Sequence, residues 1–328
     1  MVKVMHSKGV LFGETVIDPS VCSIKKHNAI ISHAHSDHAK VSKLKEKTYF
    51  MTPETNQLIK SRNLKEFNSV EVPFKKKFVV EENEFSFFSS GHILGSSQIK
   101  VNSGEVIFTS DFKLQDSILF DKAEILKAET LVIESTYGLP QYVFPERNKI
   151  YDEMEKWGKQ ELKENRLLVL GGYSIGKAQE LTKISNKFLN EIPLVHEDIF
   201  KSNKVYEKNN VKLGKFELLN HNFKEFNVLI LPPHLLKPDL IKALEISSGR
   251  KVSAAFSSGW NNFSIGKSFP LSDHADFNQL LKYVKESEAK NVLTHHGFAK
   301  EFASALRRKL GVNARPLDEK GQSSLLDF

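Results

Sequence analysis

The sequence predicts a mixed α/β protein, and three features of its hydrophobic pattern carry that prediction. Its first 140 residues break into short β-branched or aromatic runs separated by turn residues. From about residue 145 the period lengthens, and amphipathic helical stretches alternate with short apolar runs. The last stretch reads as helix, strand, helix.

In chain order, the runs 16–18, 29–31, 78–80, 85–88, 105–108 and 131–133 are rich in Val, Ile and Phe and read as strands. A helical pattern over 53–62 intervenes. Residues 148–162 and 177–189 repeat apolar positions at helical spacing and read as helices. They alternate with apolar runs at 167–170 and 228–231, the pattern of a three-layer α/β unit, and 251–256 adds another strand. The end of the chain supplies a helix over 277–287, a strand over 291–294 and a helix over 300–310.

The composition, 40% hydrophobic and 27% charged, is that of a water-soluble globular protein of one large or two ordinary domains. No apolar run approaches the ~18 residues of a membrane span, and the N-terminus lacks the apolar core of a signal peptide. The single cysteine, Cys22, excludes an intrachain disulfide, so metal ligands must be nitrogen and oxygen. These features predict a cytoplasmic protein with no membrane partner. A net charge of +7 suits a polyanion such as nucleic acid. The clusters Lys75-Lys76-Lys77 and Arg307-Arg308-Lys309 read as solvated faces.

The densest chemical signal is His33-Ala34-His35-Ser36-Asp37-His38, directly after the apolar run 28–32. This spacing does not fit a helical ligand pair, whereas a strand followed by a tight loop fits it. Imidazoles suit zinc and similar ions, and the neighbouring carboxylate suits a second ion. Further candidates sit at strand ends: His92 between glycines, Asp111 after the run 105–108, and His295 and His296 before Gly297.

In order and context these residues resemble the metallo-β-lactamase fold, an αββα sandwich with two metals at one edge of its sheets. Carried over by position, that resemblance implies that His33, His35 and His92 hold one metal. It implies that Asp37, His38 and His296 hold the other, with Asp111 bridging; His296 is preferred because it directly precedes the glycine, and His295 is the substitute. Leu131 to Gly138, with Glu134, resembles the acidic motif of the β-CASP nucleases. Gly176-Lys177-Ala178-Gln179-Glu180 resembles a segment of their inserted domain, with lysine in place of the usual arginine. Ser272 to Asp276 and Thr294 to Gly297 match two late histidine motifs. The resemblance covers the whole chain and implies a metallo-β-lactamase domain of 1–139 and 269–328 with a compact α/β β-CASP insert of 140–268.

The implied function is metal-dependent hydrolysis of phosphodiester bonds in single-stranded nucleic acid, in the groove between sandwich and insert. Two divalent ions, zinc before manganese, would generate hydroxide and clamp the attacking and leaving oxygens. Asp37 would act at that centre, His274 would protonate the departing 3′ oxygen, and Glu134 would orient His274. Lys177 and the backbone of Gly176, at a helix start, would bind a substrate phosphate, lysine as a point charge where arginine would be bidentate. Tyr173 could stack a base. A thioesterase, lactonase or lactamase would have no use for the Glu134 segment or the insert. A non-catalytic nucleic-acid-binding scaffold would be free to lose ligands, yet all are present. His296 leans towards RNA, in the style of short archaeal messenger RNA 3′-end processing factors. The segment 257–260 also resembles DNA ligase-associated exonucleases, which makes a DNA exonuclease of repair the alternative. An edge near the C-terminal strand leaves room for a homodimer.

Overall fold

The computed structural model describes residues 4–6, 9–20, 28–41, 47–62, 66–220, 223–260 and 264–317, so Cys22 lies outside the described residues. The chain forms two compact units: Met1–Leu114 with Lys122–Val143 and His274–Phe328, and Gln115–Asp121 with Phe144–Asp273. It is a mixed α/β protein, with three sheets among the described residues.

In the first unit, β1 (Val4–His6), β2 (Val10–Phe12) and β3 (Thr15–Ile17) form an antiparallel meander. To it β4 (Ala29–Ile30), β5 (Tyr49–Met51) and β6 (Ser69–Glu71) add in parallel. Helix α1 (Pro53–Ser61) starts where the chain leaves β5. Proline at its first turn needs no hydrogen-bond donor, and the Thr52 hydroxyl accepts from the Thr55 amide at 3.2 Å. The same hydroxyl donates to the Gly95 carbonyl at 2.7 Å, tying the helix start to the loop that holds His92. A Cβ at Gly95 would sit 2.7 Å from the α1 backbone, so only glycine permits this approach. The second sheet begins with β7 (Lys77–Val80), β8 (Asn83–Ser89), β9 (Ser97–Val101) and β10 (Val106–Phe108), all antiparallel, and continues with β11 (Thr130–Glu134), parallel to β10.

The second unit is built on a wholly parallel sheet. Its strands are β12 (Leu167–Gly171), β13 (Leu194–Val195), β14 (Glu217–Leu218), β15 (Val228–Leu231), β16 (Val252–Ser257) and β17 (Lys267–Phe269), in the order β14-β13-β15-β12-β16-β17. All of Leu167 to Leu170 and Val228 to Leu231 are buried, as a sheet covered on both faces requires. Four helices accompany it: α2 (Arg147–Lys163), α3 (Lys177–Ile184), α4 (Glu197–Lys208) and α5 (Pro238–Ser248). The helix expected over 177–189 ends as α-helix at Ile184 and continues as one π turn, Ser185–Leu189, closed by left-handed Asn190. There the Ser185 hydroxyl bonds back to the Leu181 carbonyl at 2.9 Å, which competes with the regular ladder. Helices α4 and α5 were not anticipated.

The chain then returns to the first unit with α6 (Phe277–Ser287), β18 (Asn291–His295), α7 (Ala299–Leu310) and β19 (Asn313–Pro316); β18 pairs in parallel with β11 and β19. Strand alternation sends the two faces of the second sheet to different cores. Val106, Phe108 and Val132 join Phe12, Ile17 and Ile30 of the first sheet in one cluster. Ile107, Leu131 and Ile133 face α6 and α7 through Leu280, Val284, Phe302 and Leu306 in another. Each fully buried side chain of this size contributes about 1.5–3 kcal/mol. Among the described residues, no helix is long and apolar enough to cross a membrane.

Candidate metal centre

The residues of the centre lie in loops that follow strands or precede a helix of the first unit. Backbone bonding sets the positions: the Ile31 amide donates to the Phe50 carbonyl (2.9 Å) just before the histidine run, and the Ser90 amide to the Ser96 carbonyl (3.1 Å) around His92. Asp111 follows Ser110, which turns the chain with φ +52°, and His296 itself has φ +62°. Such left-handed residues cost of order 1–3 kcal/mol, and here they aim side chains inward. Next to His296, a Cβ on Gly297 would lie 2.6 Å from the Ser135 carbonyl oxygen, so this turn admits only glycine without movement.

His33, His35, His92 and Asp111 bring their ligand atoms within 4.8 Å of one another. Nε2 of His33 and Nε2 of His92 each lie 3.1 Å from Nδ1 of His35. A second group joins Asp37, His38 and His296. Asp111 lies between them: its Oδ2 is 3.4 Å from His38 Nε2, 3.6 Å from His33 Nε2 and 3.8 Å from His92 Nε2, and its Oδ1 is 3.8 Å from His296 Nδ1. His295 does not join; its ring stacks on Phe108 with centroids 5.1 Å apart.

The donor set fits divalent cations. Three imidazole nitrogens converge on one point that hydrogen bonds among themselves cannot fully satisfy, because each ring nitrogen offers either a proton or a lone pair. Asp111 is 3% exposed, and its Oδ1 has no hydrogen-bond partner among the described residues. A buried carboxylate facing four imidazoles in an all-N/O shell suits zinc or manganese.

The electrostatics are strongly coupled. Burial and the neighbouring His38 hold His33 well below the usual histidine range. Burial opposes charge on His38 too, but Asp111 and Asp18 outweigh it and raise this histidine well above that range. The Asp111 carboxylate facing it raises His296, against the effect of its burial. Asp111 is held well below the carboxylate range by His38 and His274, against the cost of its own burial.

Beside this cluster stands a carboxylate–imidazole pair. Glu134, fully buried at the end of β11, lies 3.0 Å (Oε2) and 3.2 Å (Oε1) from His274 Nδ1. Its Oε1 accepts the Phe112 amide at 2.9 Å and its Oε2 the Thr136 hydroxyl at 2.5 Å. The His274 ring packs 4.7 Å from that of His92, and Asp111, Glu134 and His274 form a further group of converging ligand atoms.

Asp18 and Arg147 escaped the sequence reading, as did the ion partners of Lys177. Asp18, left-handed at the end of β3, bonds His38 Nδ1 at 2.9 Å and accepts from both the backbone and hydroxyl of Ser32. The Ser32 hydroxyl also meets His33 Nδ1 at 3.0 Å. A lone aspartate at a strand end carries no local signal of this. In the second unit, Lys177 is 2% exposed and its ammonium lies 2.9 Å from both Glu180 and Asp273. Arg147 completes the network, donating to Glu180 through Nε (2.8 Å) and Nη2 (2.6 Å) and to Asp273 at 3.0 Å. The Gly176 amide already donates to the Gln179 side chain at 2.6 Å. Lys177 and Gly176 are therefore committed to internal partners, and the phosphate expected there meets a buried ion network instead. Tyr173 is half-exposed and packs edge-on against Phe256.

No protein-family model matches the chain. It is 29% identical over 310 residues to a probable DNA ligase of Opitutus terrae, covering 90% of this chain and 29% of that protein. It is 24% identical over 251 residues to an RNase J-like protein of Methanocaldococcus jannaschii, covering 68% of this chain and 60% of that protein. The chain thus spans less than a third of the first relative and under two thirds of the second. Its fold is similar to that of a protein of unknown function from Enterococcus faecalis V583, with a TM-score of 0.65, 12% identity and 98% of each chain covered. The names of these relatives point to the β-CASP metallo-β-lactamase nuclease family, the one that the histidine and acidic motifs of this chain resemble.

Proposed function

We propose that the protein is a metal-dependent nuclease that hydrolyses phosphodiester bonds of single-stranded nucleic acid, with RNA as the first substrate. The two sheets about a shared core are read as the αββα sandwich, and residues 140–268 as the β-CASP insert. The observation that carries the reading is the position of Asp111 between two ligand groups, with the Glu134–His274 pair converging on the same carboxylate. A thioesterase or lactamase needs no such second acid–base pair.

His33, His35 and His92 would hold one divalent ion, Asp37, His38 and His296 the other, and Asp111 would be shared. Bound there, such ions supply Lewis-acid stabilisation of the charge developing on the phosphate and lower the pKa of water. The protein's own groups do the rest. Glu134 accepts the Nδ1 proton of His274 and so presents Nε2 as the titrating nitrogen. Protonated, that nitrogen donates to the departing 3′ oxygen. Asp18 and Ser32 orient His38 and His33 through the nitrogens that face away from the centre.

The name of the RNase J-like relative supports RNA. A second reading, a DNA exonuclease of repair, is favoured by the 90% of this chain that aligns with a probable DNA ligase. Matched 5′- and 3′-labelled single-stranded RNA and DNA of one sequence, with zinc- or manganese-loaded protein and Asp111→Ala as control, separate the two. Faster RNA cleavage upholds the first reading and faster DNA cleavage the second. Cleavage of neither with two metals bound replaces both with a nucleic-acid-binding scaffold.

A further inference from the structure

Helix α7 carries a feature that the metal centre does not use. Together with the segment after Tyr137 it encloses a cavity of about 440 Å³, open to solvent. Lys300 and Arg308 line it along one helical row and Lys309 along the next, with Leu139 and Pro140 as the opposite wall. All three cations are exposed, and none has a hydrogen bond or ion pair among the described residues. The neighbouring Arg307, by contrast, is folded back onto the Ala314 carbonyl. Among the described residues Glu301 is the single carboxylate of the lining, which leaves these an excess of positive charge.

Its walls are continuous with the candidate site. Leu139 and Pro140 follow the loop that leaves Glu134, and Lys300 follows the turn that carries His296. The two segments are stitched together: the Phe298 amide donates to the Ser135 carbonyl at 2.9 Å, and the Ser135 hydroxyl donates to the His296 carbonyl at 2.6 Å. From Lys300 to Arg308 the helix rises about 12 Å, several times the ~3.4 Å per charge along one nucleic-acid strand.

Resting on the nuclease reading above, we propose that this groove docks the sugar–phosphate backbone of the single-stranded substrate, on the α7 side of the metal centre. The unpaired cations neutralise successive phosphates, and the Leu139–Pro140 wall takes the apolar face of a sugar or base. A polyanion with regularly spaced charges fits cations spread along a helix better than a compact anion does.

The test uses the metal-loaded full chain and two probes. One is bis(p-nitrophenyl) phosphate, a diester too small to reach the groove. The other is a cleavage-resistant strand of about 20 nucleotides, longer than the ~4–16 that a single binding fold covers. The triple variant Lys300→Gln, Arg308→Gln, Lys309→Gln is expected to bind the strand at least ~10-fold more weakly. Its slope of log affinity against log salt is expected to fall by about 2, near 0.7 for each phosphate no longer neutralised. Hydrolysis of the small diester stays at the wild-type rate. Glu301→Lys, which adds a charge to the same wall, tightens strand binding. Unchanged strand affinity and salt slope in both variants overturns the groove, as does tighter binding of a poly-glutamate peptide than of the strand. If the wild type hydrolyses no diester yet binds the strand with this dependence, the nuclease reading falls and the groove stands.

Discussion

Asp18 Oδ2 lies 2.9 Å from Nδ1 of His38, and this contact joins the end of β3 to the candidate metal centre. The same carboxylate holds the Ser32 backbone at 2.7 Å, so one side chain sets both a histidine ring and the loop that carries it. Carboxylates that orient a metal-ligating histidine typically matter by 10–100-fold in metal affinity. Asp18→Ala is therefore expected to weaken one of the two ions by about that factor. A competitive chelator titration that still shows two sites of wild-type affinity would remove Asp18 from this role.

His274 bonds Glu134 and is not needed by either ligand group. His274→Ala is expected to keep full metal content while slowing cleavage at least ~10²-fold, the scale of a lost general acid. Glu134→Gln should shift the pH–rate profile of the same step, because the carboxylate no longer favours protonated imidazole. Loss of metal from His274→Ala, measured by elemental analysis, would mean that His274 is a ligand.

Glu180 gives a pH dependence with a defined sign. Its burial alone would raise its pKa, but Arg147 and then Lys177 pull it down to about 2. A carboxyl with a lowered folded pKa binds fewer protons folded than unfolded, so its stabilisation is complete above the unfolded value of about 4.5 and lost as pH falls through about 2. Glu180→Gln should flatten this acid limb. At pH 7 it should also cost about 3–5 kcal/mol, because Arg147 is left buried without its main partner. Both tryptophans lie in the second unit, so urea unfolding followed by tryptophan fluorescence reads the effect where it arises. An unchanged midpoint at pH 7 would show the network to be energetically neutral.

Gly297 and Gly311 have similar positive φ, +58° and +65°, but different surroundings. A Cβ at Gly297 meets Ser135 and Thr136 at 2.6 Å, whereas one at Gly311 meets nothing within 4 Å. Gly311→Ala should cost only the left-handed backbone term, about 1 kcal/mol. Gly297→Ala should cost more and also slow cleavage, because the turn that aims His296 must move. Equal urea midpoints for the two variants would show that the close approach at Gly297 relaxes freely.

Much of the secondary structure was legible because it depends on neighbours in sequence. The segments that became β11, β12, β15, α2 and α6 announce themselves as continuous apolar runs or through helical spacing. Strands of two residues, such as β13 and β14, are too short for any period to register, and α5 was missed for want of a strong polar face. The histidine run 33–38 was visible for the same local reason: its donors are contiguous, so their chemistry can be read before any fold is known.

What the chain could not display alone is which distant groups meet. Asp18 looks ordinary in sequence, a strand-end acid, and Lys177 reads there as a helix-start cation for a phosphate. Packing gave the first a histidine partner and sealed the second between Glu180 and Asp273. Sequence by itself determined the residue types and the local periods, because those follow from backbone geometry and side-chain polarity. Tertiary structure decided the partners, because a charge taken from water must find its counter-charge wherever the folded chain places one.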